Sequence, residues 1–60
     1  MHLVDESQLQ KAFRRIAEEN LSFHPELMKK YLSHYVQIDG RKYWKFSDVQ
    51  SYCRAVMEAG

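Results

Sequence analysis

Apolar residues recur along this chain in two periods, and the change of period divides it. Leu9, Phe13, Ile16 and Ala17 fall at i, i+4, i+7 and i+8, one stripe of a 3.6-residue repeat. The stripe predicts a helix over 7–20. Ser7 and Gln10 have capping-box spacing, Asp5 and Glu6 suit the positive helix start, and the pattern fades at Asn20. Leu21-Ser22-Phe23-His24 is a short connection. Pro25 fits the first turn of a second helix, where its missing N–H costs nothing. That helix carries Leu27, Met28, Tyr31, Leu32 and Tyr35 as its apolar stripe. Glu26, Lys29, Lys30, Ser33 and His34 lie on the opposite face.

From Val36 the period becomes two. Asp39-Gly40 between two β-prone runs is a hairpin signal. The alternation predicts Val36, Ile38, Trp44 and Phe46 facing inward and Arg41, Tyr43 and Lys45 facing outward. A third helix follows. Ser47 and Gln50 repeat the capping-box spacing, Asp48 sits in the first turn, Val49, Tyr52, Cys53 and Val56 form the stripe, and Gly60 ends it. The expected fold is α+β, one domain over 1–60, with the order α-α-β-β-α. Two helices, a short turn and a ribbon make a small winged-helix-like arrangement, the hairpin being the wing. A hairpin alone is marginal in water, so Tyr43, Trp44 and Phe46 are expected to pack it on the helices.

Sixty residues give one small core and no room for a deep substrate cavity. With 45% apolar and 28% charged residues the chain is globular rather than disordered. The opening residues lack the basic region and apolar run of a signal peptide, and no apolar run approaches a membrane span. Cys53 is the single cysteine, which excludes an internal disulfide and points to a reducing compartment, most simply the cytoplasm. Net charge is +1 and hides an asymmetry. Residues 1–26 hold three basic against five acidic residues, whereas 29–45 hold Lys29, Lys30, Arg41, Lys42 and Lys45 against Asp39 alone.

Catalytic and metal chemistry find little support. His2, His24, His34 and Cys53 are the candidate metal ligands, but no two have the short spacing of a structural zinc site. Cys53 lies on an apolar stripe and reads as a buried small hydrophobe rather than a nucleophile. Asp5-Glu6 and Glu18-Glu19 are sequence neighbours that point about 100° apart on a helix, so neither is an acid–base pair. With only Gly40 and Gly60 there is no glycine-rich phosphate loop. No enzyme activity, cofactor or metal is expected.

Double-stranded DNA is the expected partner. In a helix-turn-helix unit the second helix enters the major groove, and here its exposed face offers Lys29, Lys30, Ser33 and His34. Lysines supply phosphate affinity, and any of these side chains can reach a base edge. The ribbon offers Arg41, Lys42 and Lys45, with Tyr43 on its outer face, to a neighbouring backbone or minor groove. One small module buries only about 600–1,000 Å2 on DNA, so cooperative or multimeric binding on repeated sites is expected.

Asp39-Gly40-Arg41-Lys42-Tyr43-Trp44-Lys45-Phe46-Ser47-Asp48-Val49, followed by Tyr52, resembles the wing and following helix of the excisionase and MerR-like winged-helix group. That group shows a G-R-x-x-[WY] wing and then a helix opening S/R-x-x-[DE]-V. The resemblance covers residues 36–57. It implies a small phage or mobile-element protein that binds and bends DNA in site-specific recombination beside a recombinase, or a small transcription regulator. It also implies DNA contacts from Arg41 and Lys42 and from the preceding helix.

The alternative is a protein-interaction module or inhibitor with no nucleic-acid role. Tyr31, Tyr35, Tyr43 and Tyr52 are many for a small core, and tyrosine is enriched at interfaces. Tyr31, Tyr35 and Tyr52 are expected to bury their rings and keep the hydroxyl wet, Tyr43 to be exposed. Tyr43 with Met1, Met28 or Met57 would then line a homodimer or inhibitor face.

Overall fold

The computed structural model describes residues 2–60; Met1 lies outside them. The elements run β1 (Leu3–Asp5), α1 (Glu6–Glu18), α2 (Pro25–Leu32), β2 (Val36–Ile38), β3 (Arg41–Lys45) and α3 (Phe46–Ala59). Three helices cover a three-stranded antiparallel sheet of order β1-β3-β2. The α+β class and the sequence of two helices, ribbon and helix are as expected. The strand ahead of α1 is an addition. Leu3-Val4-Asp5 is too short to show a period of its own, and only its partner β3 makes it a strand.

Both predicted helix starts move, because a strand runs into each helix. β1 runs straight into α1, so the N-cap is Asp5 rather than Ser7. The Asp5 carboxylate accepts from the Gln8 amide N–H at 2.9 Å, and the Asp5 amide N–H donates to the Gln8 Oε1 at 3.2 Å. Gln10 plays no part in the cap. The Ser47–Gln50 box is also absent. The third helix begins at Phe46 directly from β3, and its cap residue Lys45 makes no side-chain bond. The Phe46 N–H donates instead to the His2 carbonyl at 2.9 Å, so the residue ahead of β1 satisfies one of the orphan groups of that helix end.

The first helix stops without a glycine. Asn20 takes a left-handed φ of 57°. The Asn20 N–H bonds to the Ala17 carbonyl and the Leu21 N–H to the Ile16 carbonyl, both at 3.1 Å, which is a Schellman termination. Within the connection to α2, His24 also has positive φ, 49°. The Tyr52 hydroxyl donates to the Phe23 carbonyl at 2.6 Å and holds the connection onto α3. Tyr52 is fully buried, so its hydroxyl is bonded internally rather than wet.

The core has two centres. Val4, Leu9, Trp44 and Val49 form one, and Ile16, Tyr52 and Val56 the other, bridged by Phe13, Leu32 and Cys53. On α1 the inward flank is completed by Ala12, while Ala17 is exposed. Val36 and Ile38, expected inside, are 46% and 49% exposed. The hairpin itself requires this. With Asp39-Gly40 as a two-residue turn, both at positive φ, Ile38 pairs Arg41 and Val36 pairs Tyr43. Cross-strand partners share a face, so Val36 and Ile38 share that of Tyr43, opposite to buried Trp44. Phe46 leaves the alternation by entering the helix. It is exposed and stacks on His2, centroids 4.9 Å apart. Tyr35 lies beyond the end of α2 and is exposed, Tyr31 is half-buried as expected, and Tyr43 is half-buried rather than exposed.

Candidate nucleic-acid interface

The candidate interface depends on how the ribbon is fastened to α2. The Trp44 indole N–H donates to the Leu32 carbonyl at 2.8 Å, so a side chain of β3 satisfies one of the last carbonyls of the helix. Trp44 also meets the Tyr35 ring, centroids 5.8 Å apart at 48°. The Lys42 ammonium lies 4.9 Å from the Tyr35 ring centroid, a cation–π contact that holds the lysine beside the helix.

Lys29 and Ser33 of the helix end then share one open hollow with Lys42, about 500 Å3 in volume, with Trp44 in its lining. The near side belongs to the first helix through Glu6, Gln10 and Phe13. Lys42 also borders a second hollow of about 300 Å3 with Gly40 and Arg41, opposite Asp5 and Glu6. His34, Tyr43 and Lys45 surround a smaller hollow of about 90 Å3 on the other side of the sheet. Ser33 Oγ and His34 Nδ1 are 3.3 Å apart where the two sides meet. Lys30 stands apart from these hollows, with its ammonium 5.3 Å from the Tyr31 ring centroid.

The eight predicted residues therefore do not share one face. Lys29, Ser33 and Lys42 come together. Arg41 alternates onto the face of Tyr43 and Lys45 and meets Lys42 only at the rim of the second hollow, and His34, Tyr43 and Lys45 occupy the reverse side. Sequence reasoning missed two parts of the site. Tyr35 was placed on a helix stripe, yet it supplies the ring under Lys42. Sequence reading gives Glu6 as a helix-start residue and as one of two neighbouring carboxylates, not as part of the interface, yet it puts a carboxylate beside both hollows. Spacing offers no signal for either, because both contacts arise from tertiary packing.

The five basic residues have their charges free. Among the described residues the one contact of ion-pair type is that of His24 Nδ1 with Glu26 Oε1 at 3.1 Å, a hydrogen bond that involves none of the five. No group of three or more His, Cys, Asp or Glu among them is placed to hold a metal ion. Cys53 is half-buried, and burial raises its thiol pKa although Arg15 nearby lowers it in part. Burial likewise raises the Tyr52 pKa, with the Cys53 and Glu26 charges adding to the effect. Neither group is poised to react near neutral pH. No helix among the described residues is long and apolar enough to cross a membrane. No protein-family model, curated protein or solved structure matches the chain.

Proposed function

We propose that this protein binds double-stranded DNA as a winged helix-turn-helix unit, with α2 in the major groove and the β2–β3 ribbon as the wing. The observation that carries the reading is the meeting of Lys29 and Ser33 with Lys42 around one hollow, held by the Trp44–Leu32 bond, with no carboxylate ion-paired to either lysine. Arg41 borders a second hollow with Lys42 at the ribbon tip, beside Asp5 and Glu6. Tyr43 and Lys45 on the reverse side, and Lys30 apart, lie outside this surface. The strand order is compatible with the reading, because β1 pairs along the outer edge of β3 and widens the ribbon into a three-stranded sheet. The role follows the resemblance to the excisionase and MerR-like group: recombination directionality or transcription regulation, in the cytoplasm.

Fluorescence anisotropy with a random-sequence duplex at two salt concentrations tests the proposal. Binding is expected to weaken steeply with salt, because each phosphate contact releases a counterion. Replacing Arg41 and Lys42 together with Ala is expected to lower affinity and flatten the salt slope by about 2, one per lost contact, without unfolding the protein. A folded protein that shows no binding at low salt overturns the reading. The protein-interaction alternative would then take precedence, because exposed Val36 and Ile38 give the reverse side of the sheet an apolar surface.

A further inference from the structure

The largest of the four described hollows lies away from every residue assigned to DNA. It is an open groove of about 580 Å3 between α1 and α3 that shares no lining residue with the basic hollows. Ala12, Ile16, Val49 and Cys53 contribute to its lining. Phe46 and Met57, 41% and 64% exposed, stand at its α3 side. The lining runs from Gln8 to Glu19 on one helix and from Phe46 to Met57 on the other. At 1.5 Å per residue that is ~16 Å, about three helical turns.

Lys11 and Arg15 also line the groove, one turn apart on α1. A like-charged i,i+4 pair destabilises its own helix by a few tenths of a kcal/mol. Neither cation is ion-paired among the described residues, and Glu19 is the one carboxylate lining the groove. An apolar trough of three turns, flanked by two free cations, calls for an occupant that is apolar on one side and anionic on the other.

We propose that this groove docks an acidic amphipathic helix of a partner protein. Such a helix lays its apolar stripe between α1 and α3 and sets carboxylates against Lys11 and Arg15. The Phe46 ring and the flexible Met57 side chain close over it, as aromatic and methionine side chains do at protein interfaces. A small aliphatic acid fits less well, because ligand sites enclose about 70–90% of the ligand surface and this trough is open. A second copy of the chain fits less well too. The apolar stripes of its helices are turned into the two core clusters, which leaves no acidic amphipathic face to donate. The inference stands independently of the DNA reading.

The test uses two synthetic helical peptides of about 12 residues, ~18 Å long. They share one leucine stripe and carry either Glu or Lys beside it. The Glu peptide is expected to bind at least about tenfold more tightly than the Lys peptide. It should shift the backbone amide resonances of Ala12, Val49 and Cys53 and leave those of Lys29 and Lys42 in place. Lys11→Glu with Arg15→Glu should reverse the preference. Lys11→Gln with Arg15→Gln should abolish it, with the fold of each variant checked by circular dichroism. A Lys29→Ala, Lys42→Ala variant should bind the peptide unchanged while losing DNA affinity, so the two proposals fail separately. Equal affinity for both peptides, or shifts confined to other surfaces, would overturn the inference. Shifts of the groove amides produced by dodecanoate alone would reassign the groove to a small amphiphile. The same shifts produced by raising protein concentration alone would reassign it to a second copy.

Discussion

Tyr52 joins three parts of the molecule in one side chain. Its ring is fully buried beside Ile16 and Val56, it meets Phe13 edge-on with centroids 6.1 Å apart, and its hydroxyl holds the turn before α2. Tyr52→Phe keeps the ring and removes the bond to the Phe23 carbonyl. The expected loss is about 1 kcal/mol, read as a lower urea midpoint at unchanged slope. Tyr52 and Cys53 also set a pH dependence. Both are acids whose charged form burial disfavours, so each folded pKa lies above its unfolded value. Their stability contribution is full below the unfolded values and is lost as pH rises through the folded ones. Stability should hold at neutral pH and fall above about pH 9, where the unfolded thiol, ordinarily 9.0, begins to ionise. Urea titrations across that range should show a flatter alkaline limb in the Tyr52→Phe, Cys53→Ser variant.

At the scale of elements, strand–helix junctions decide what the local pattern leaves open. Two serine caps matched the spacing rule, and neither is used, because a strand runs into each helix without a linker. Asp5→Ala should therefore cost about 1 kcal/mol in thermal or urea melts, while Ser7→Ala should be near neutral. The helix stripes, Pro25 and the Asp39-Gly40 turn were legible because each is a local signal. The strand β1 was not, since three residues carry no period. The facing of Val36 and Ile38 was readable in principle. A two-residue turn fixes the register, and the register fixes the face, but the apolar character of both residues was given more weight than the turn. Of the candidate site, the basic residues could be read from charge and exposure. Their division between the two sides of the sheet, the ring under Lys42 and the carboxylate of Glu6 could not, because those depend on how β3 docks against the helices.

Of the four hollows, the two largest lie against different residues of α1, one bordered by Lys29 and Lys42, the other apolar with Lys11 and Arg15 at its rim. Neither is large. A DNA contact of this size is expected to need neighbours, so titrations on single-site and tandem-site duplexes should differ, the tandem site binding more steeply. Superposing titrations would show that one copy acts alone. If both proposals hold, the apolar groove would leave room for a protein partner while the proposed DNA surface is engaged.

The pairing of Leu3 with Lys45 has a consequence for how the molecule opens. Three residues near one end of the chain fasten it across some forty others, a loop closure that local helices and the hairpin do not need. This clasp rests on three paired residues and on the Phe46 N–H bond to the His2 carbonyl. When it lifts, Val4 leaves the first core cluster, the Phe46 amide loses its acceptor, and the side of Trp44 that rests on Val4 is bared. Local unfolding should therefore begin at the clasp and spread to the indole that aligns the ribbon with the second helix. The basic hollow would come apart before the Tyr52 cluster does, so the surface proposed for DNA rests on the more readily released half of the core.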